Sequence, residues 1–152
     1  MNPKQGDIFL VPTLDGKFVP GQIISFETRS LHCVSCGLFD QRVADYREGA
    51  ELILDKSKLF TTLLMVPRFL QKHKWPILQN QNLVISKDKF PYEKELRKNG
   101  VGVKIQEEEI VIMFVNAFYG LRAWDDLYKP DFFDEMLLDV KKRPNNLIYS
   151  KK

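Results

Sequence analysis

The chain opens with two apolar runs that flank a tight-turn signal, and this arrangement constrains the fold more than any other stretch. Residues 6–12 are Gly-Asp-Ile-Phe-Leu-Val-Pro, residues 14–17 are Leu-Asp-Gly-Lys, and residues 18–24 are Phe-Val-Pro-Gly-Gln-Ile-Ile. An Asp-Gly pair between such runs is the strongest short-range indication of a β-hairpin. Gly16 can adopt the positive φ that a sharp reversal needs. The sequence therefore predicts a hairpin whose register is set by this turn.

Three residues limit how the hairpin strands can pair. Pro12 and Pro20 cannot donate a ladder hydrogen bond, so each is expected at a strand end, a bulge or an edge. Gly21 predicts a bulge or a close approach of another group to the backbone. Residues 31–40 read as a third strand, and because sequential strands usually neighbour one another, the three should form an antiparallel meander.

The middle of the chain predicts shorter elements. Residues 59–66 read as a strand ended by Pro67, although an apolar run this short is also compatible with a helix. The other expected elements are a connection with a helical turn at 41–51, a strand at 52–54, a basic turn or helical fragment at 68–74, an edge strand at 75–78, a loop-like stretch at 79–102 with at most a helical turn at 92–97, and a last strand at 103–105.

The C-terminal third predicts two helices. Three glutamates, Glu107 to Glu109, precede the apolar residues 110–119, and Gly120 follows, which are start and stop signals of a helix. The β-branched residues at 110–112 leave a strand as the alternative. A second helix is expected over residues 131–138, with Asp131 as its N-cap and the basic residues before Pro144 closing it.

We therefore expect one α+β domain over residues 1–152. Its twisted antiparallel sheet, flat and open or curled towards a barrel, would be built from residues 6–85, with the two C-terminal helices packed on one face. With 152 residues, 44% of them hydrophobic, the chain can bury a real core. It has no apolar run long enough to span a membrane and no apolar N-terminal signal segment, and its two cysteines fit a reducing compartment, so we expect a cytoplasmic protein.

No stretch carries a recognisable catalytic, metal or cofactor motif. Cys33-x-x-Cys36 could be a redox pair or half of a zinc site, but on a regular strand the two side chains point to opposite faces, which favours buried structural cysteines. His32 and His73 have no nucleophile patterned near them, and the aspartates at 125, 126 and 131 suit capping and solvation better than a cation site. We expect neither enzymatic activity nor a metal or cofactor.

Charge is distributed unevenly although the net charge is only +3. Residues 56–87 contain six basic residues and no acid, whereas residues 125–139 contain six acids and one lysine. These segments could pair within the fold or present opposite faces to partners. Trp75 and Trp124 are either core residues or interface anchors, since tryptophan is enriched at binding hot spots.

Two parts of the chain resemble one known family. Residues 6–24 resemble the N-terminal signature of the immunity protein 26 family of bacterial polymorphic toxin systems. Residues 114–121 (Phe-Val-Asn-Ala-Phe-Tyr-Gly-Leu), then Trp-Asp-Asp at 124–126 and Lys-Pro-Asp-Phe-Phe-Asp at 129–134, are similar to the tail of many longer members.

The resemblance implies a cytoplasmic immunity protein that binds a cognate protein toxin and occludes its active site, with no reaction of its own, no cofactor and no membrane partner. If the toxin is a nuclease with a basic cleft, the acidic segment 125–139 would be the blocking surface. The candidate partner-binding residues are Trp124, Asp125, Asp126, Asp131 and Asp134. The alternative is a small β-barrel-like nucleic-acid-binding module that uses the basic stretch 56–87, against which the low net charge and the acidic segment count.

Overall fold

The computed structural model describes residues 3–27, 32–85 and 104–150. The described residues form an α+β fold with a six-stranded sheet that does not close into a barrel, in the order β5-β1-β2-β3-β4-β6. The strands are β1 (Asp7–Pro12), β2 (Phe18–Glu27), β3 (Cys33–Phe39), β4 (Leu59–Met65), β5 (Ile77–Asn80) and β6 (Ile105–Gln106). The helices are α1 (Tyr46–Glu51), α2 (Arg68–Gln71) and α3 (Glu108–Phe118), with 3₁₀ turns at Lys56–Lys58, Asp134–Met136 and Val140–Lys142.

The predicted N-terminal hairpin is confirmed. In the β1–β2 pair Ile8 lies opposite Gln22 and Pro12 lies opposite Phe18, and Gly16 has a φ of +86° in the turn between them. Pro12 ends β1, as expected. Pro20 lies inside β2, but the pairing of β2 with β3 begins one residue later, so the missing N–H of Pro20 faces no ladder partner on that side.

The predicted meander is confirmed, and the sheet as a whole is mixed. β1, β2, β3 and β4 pair antiparallel, and β5 adds to β1 as an edge strand, but β6 runs parallel to β4. The antiparallel sheet expected from residues 6–85 is present, and β6, at Ile105–Gln106, adds a parallel strand to its edge. Parallel neighbours need a long connection, which residues 66–104 between β4 and β6 supply.

Both faces of the sheet are buried. Side chains of β1 to β4 on one face pack against α3 and the C-terminal residues in the larger apolar cluster, which includes Phe9, Ile23, Cys36, Phe60, Phe114 and Phe118. The opposite face holds a smaller cluster that includes Ile8, Cys33, Phe39, Leu64 and Ile85. The fully buried Gln22 holds residues 81–84 against this face of the sheet. Its side-chain N–H groups donate to Gln81 O and Asn82 O, and its side-chain oxygen accepts from Val84 N.

The helix predicted after the glutamates is confirmed as α3, and Gly120 follows its end with a φ of +73°. The helix predicted over residues 131–138 was wrong: this stretch forms turns and the 3₁₀ turn Asp134–Met136. The physical reason is a set of tertiary hydrogen bonds with β4. Leu138 N donates to Phe60 O on β4, and Thr61 Oγ1 donates to Met136 O, so the backbone groups that would extend a helix bond to the sheet.

Three smaller predictions differ from the structure. Residues 52–54 form no strand; Leu52 follows α1 as its C-cap, and its carbonyl accepts from Gln79 and Gln81 side chains. The edge strand β5 begins at Ile77, two residues later than expected, and the last strand is Ile105–Gln106. The helical turn expected at 92–97, the glycine-containing loop near residue 100 and residue 103 lie outside the described residues. Among the described residues, no helix is long and apolar enough to cross a bilayer.

Candidate partner-binding surface

The candidate surface is the C-terminal segment, defined here as residues 121–150. It contains no α-helix and is held to the rest of the fold by dispersed hydrogen bonds. Trp124 N donates to Ile148 O over 2.8 Å, which closes the segment on itself, and Leu138 N donates to Phe60 O over 2.9 Å, which ties it to β4. Because the bond between Leu138 and Phe60 joins residues far apart in sequence, the conformation of the segment depends on its contacts with the sheet.

Aromatic packing anchors this segment beneath its surface. The Trp124 ring lies 5.9 Å from that of Phe114 on α3 and 5.4 Å from that of Phe133. Trp124 is only 1% exposed, so the structure places this candidate residue in the core. Its indole N–H donates to Asp134 Oδ1 over 2.9 Å, and Asp134 also accepts from Arg143 Nη2 at 2.7 Å. The tryptophan thus orients an ion pair at the surface.

The acidic residues of the segment are largely neutralised by cations of the same segment. Asp126 pairs with Arg122 at 2.7 Å, and Asp134 pairs with Arg143, whose pKa it raises by accepting a side-chain hydrogen bond. Asp125 accepts from the backbone N–H of Ser150 at 2.7 Å and from its hydroxyl. Residues 121–150 carry six carboxylates and five cationic side chains, so the acidic run of the sequence becomes a nearly balanced surface.

Lys129 forms the exception to one-to-one pairing. Its ammonium lies 2.9 Å from Glu135 Oε2 and 4.0 Å from Asp131 Oδ1, and the hydrogen bond to Glu135 raises the pKa of Lys129. Asp131, expected to be a helix N-cap, is instead an exposed carboxylate of this group. Of the two carboxylates beside Lys129, Asp131 is the more distant and the more exposed, so it is the less closely paired.

Tyr128 has the most unusual conformation on this surface. Its φ is +58°, in the left-handed region that a bulky L-residue adopts only at a cost of about 1–2 kcal/mol. Lys129 N donates to Leu127 O, which makes a three-residue turn with Tyr128 at its centre. The side chain is 81% exposed and contacts the Phe132 ring edge-on at 5.1 Å. Sequence reasoning missed Tyr128 as a candidate, because nothing in a Leu-Tyr-Lys-Pro stretch indicates a positive φ.

Exposed large hydrophobic side chains concentrate in the same segment. Of the eight among the described residues, five belong to it: Tyr128, Leu138, Val140, Ile148 and Tyr149. Single exposed apolar residues are ordinary on protein surfaces, and five of them within residues 121–150 give this segment apolar area that a partner can cover.

Within residues 56–85, the part of this basic stretch that the structure describes, the fold divides the cations between two places. Lys56 and Lys58 lie in the 3₁₀ turn before β4, whereas Arg68 follows β4 and pairs with Glu108 of α3. Lys142 of the C-terminal segment donates to Ser57 O over 3.2 Å, so this lysine lies beside the 3₁₀ turn that contains Lys56 and Lys58. The basic run of the sequence is therefore divided between opposite ends of a strand.

The cysteines and histidines form no common site. Cys33 and Cys36 are both buried and belong to apolar clusters on opposite faces of the sheet, as the strand geometry predicted, and burial raises the pKa of the Cys36 thiol. His32 and His73 are both exposed. Among the described residues, the one group of three potential metal ligands is Glu107 to Glu109, and the buried Glu108 already accepts from Arg68 and from Phe69 N.

Comparison of the chain with protein-family models, with curated proteins and with solved structures finds no match. The candidate surface therefore rests on the geometry described above.

Proposed function

We propose that this chain is an immunity protein that binds a cognate protein toxin of a polymorphic toxin system in the cytoplasm and occludes the toxin's active site. The observation that carries the proposal is the concentration of exposed hydrophobic side chains on the C-terminal segment, which a rigid aromatic core supports from below. Such a surface suits binding to another protein. The sequence resemblance supplies the kind of partner.

The chemistry of the described residues is in keeping with a binding role. The buried carboxylate of Glu108 serves an internal link, and the buried thiol of Cys36 has a raised pKa, which disfavours the reactive thiolate.

The test of this proposal is co-purification with the product of the adjacent upstream gene, followed by co-expression to measure rescue from toxicity. We expect a tight one-to-one complex and restored growth of the host. Absence of binding, together with salt-sensitive retention of RNA or DNA, would overturn the proposal in favour of the nucleic-acid-binding alternative.

The acidic candidate residues allow a second, narrower test. Replacing Asp125, Asp126 and Asp131 by lysine takes the formal charge of residues 121–150 from −1 (5 − 6) to +5 (8 − 3), and we expect the association rate with the toxin to fall by about tenfold at low salt. Glu51→Lys, at the end of α1, is the matched control and should leave the rate unchanged. Unchanged association of the triple variant would exclude an acidic blocking surface while leaving the immunity function intact.

A further inference from the structure

We infer that Tyr128 is the aromatic anchor of the toxin interface, which inserts into an apolar pocket of the toxin whose rim carries a cationic side chain that meets Asp131. This inference rests on the proposed function and names the residue at the centre of its interface. It is carried by the backbone conformation of Tyr128, by the contacts that fix its turn, and by the charge around it.

The first step is the conformation. A tyrosine at a φ of +58° is strained, and such strain persists only where the surrounding structure imposes it. The strain is not compensated by burial of the ring, because the side chain is 81% exposed and the ring meets that of Phe132 only edge-on, at 5.1 Å. The turn holds a large aromatic side chain out in water. Strained residues of this kind cluster at ligand-binding positions.

The second step is rigidity. Lys129, directly after Tyr128, bonds to Glu135, and Phe132 packs at 5.9 Å against the fully buried Phe133. Leu127, directly before Tyr128, also packs against the larger apolar cluster, so the core holds the turn on both sides of the exposed ring. A side chain that is already ordered loses less conformational entropy on binding, which raises affinity. Tyrosine also combines a large apolar area with few rotatable bonds, which is why it is enriched at hot spots.

The third step is charge. Around the turn, Asp126 pairs with Arg122 at 2.7 Å, Glu135 pairs with Lys129 at 2.9 Å, and Lys104 lies over the Phe132 ring, which leaves Asp131 as the least closely paired of these three carboxylates. Asp131 is 4.0 Å from the Lys129 ammonium, and its side chain is 61% exposed, so it can accept a further cation. A pocket that receives the Tyr128 ring would place its rim over this carboxylate. The rim of a pocket that complements the Asp131 carboxylate therefore carries a cationic side chain.

The experiment uses the full-length chain and the upstream gene product, with affinity measured by isothermal titration and stability by thermal unfolding. Tyr128→Gly removes the ring and relieves the positive φ, so we expect binding to weaken by roughly 30-fold or more while the melting temperature does not fall. Leu14→Ala, at an equally exposed hydrophobic residue in the hairpin turn, is the matched control and should bind as the wild type does.

The charge component is measured by Asp131→Asn, which keeps the size of the side chain. We expect a several-fold loss of affinity at low salt that disappears at high salt. Binding of Tyr128→Gly at wild-type affinity would overturn the inference while the immunity function stands. Failure of the wild-type protein to bind the toxin would overturn both. Equal losses for Tyr128→Gly and Leu14→Ala would also overturn it, because the effect would not be specific to this turn.

Discussion

At the scale of single residues, Gly21 is required by the close approach of a neighbouring ring. A Cβ atom at this position would lie 2.4 Å from Phe9 Cζ and 2.8 Å from Leu38 Cδ2, both in the larger apolar cluster. The sequence indicated a bulge or a close approach at this residue, and the structure gives the close approach. The register shift of the β2–β3 pair occurs further along, between Ile23 and Ser25.

We expect Gly21→Ala to lower the free energy of unfolding by about 1–3 kcal/mol, since the added methyl group overpacks the core. Chemical denaturation measures the loss. In a Phe9→Leu background, where the ring is absent, the same substitution should cost about 1 kcal/mol less. Equal losses in the two backgrounds would mean that the ring is not the cause.

Asp15 couples the hairpin turn to pH. Its carboxylate accepts from Thr13 Oγ1 at 2.8 Å and from Arg42 Nη1 at 2.7 Å, and these bonds, that of Thr13 foremost, lower the pKa of Asp15 to about 2. Because the carboxyl group takes up a proton less readily in the folded state than in the unfolded chain, it stabilises the fold above the unfolded pKa of about 3.8.

We therefore expect the difference in unfolding free energy between wild type and Asp15→Asn to be constant above about pH 5 and to shrink as the pH falls towards 2. Denaturant titrations of both proteins across this range measure it. A difference that does not change with pH would show that the carboxylate contributes through its shape alone.

At the scale of elements, a buried carboxylate links α2 to α3. Glu108 accepts from the backbone N–H of Phe69 at 2.7 Å and from Arg68 Nη2 at 3.1 Å, and its side chain is fully buried. Glu109 contacts the same arginine at 3.4 Å but is exposed. The two neighbours therefore form a matched pair that differs in burial.

We expect Glu108→Ala to destabilise the protein by about 1–3 kcal/mol, because it leaves the Phe69 N–H without its acceptor. Glu109→Ala should change the unfolding free energy by less than about 0.5 kcal/mol. Thermal or chemical unfolding of both variants measures the two losses of unfolding free energy. Losses of similar size would contradict a role for burial of the Glu108 carboxylate.

Elements with local signals were predictable from the sequence, and elements fixed by distant contacts were not. The Asp-Gly turn and the flanking signals of α3 act within a few residues, so the hairpin and the helix were anticipated. Residues 131–138 have helical spacing, but their backbone bonds to Phe60 and Thr61 on a strand some seventy residues away. The same limit explains Trp124: the sequence left core and interface open, and only packing against Phe114 resolves its position.

At the scale of the whole molecule, the central strands and the C-terminal segment differ in how they are held. β2 and β3 are paired on both sides, whereas the segment is fastened by single backbone bonds and by packing of Trp124 and Phe133. Such regions open at lower free energy than the strands at the centre of a sheet.

We expect native-state hydrogen exchange to be slowest in β2 and β3 and faster in the C-terminal segment. Trp124→Phe, which removes the indole donor to Asp134, should speed exchange in the segment more than in the sheet. Mass spectrometry of peptic fragments provides the measurement. Uniform acceleration over all fragments would indicate that the segment opens only with the whole fold.

The replacement of a helix by turns in the C-terminal segment has a consequence for how specificity can diverge. On a helix, an exposed position shares its periodicity with buried neighbours, so many substitutions affect stability as well as recognition. In turns, the backbone conformation at each residue decides separately whether its side chain is exposed. The buried side chains of Trp124 and Phe133 pack beneath these turns. For the proposed immunity function, this means that the outward residues of the segment can be exchanged, as in hypervariable loops on a fixed framework, and toxin specificity changed without rebuilding the core.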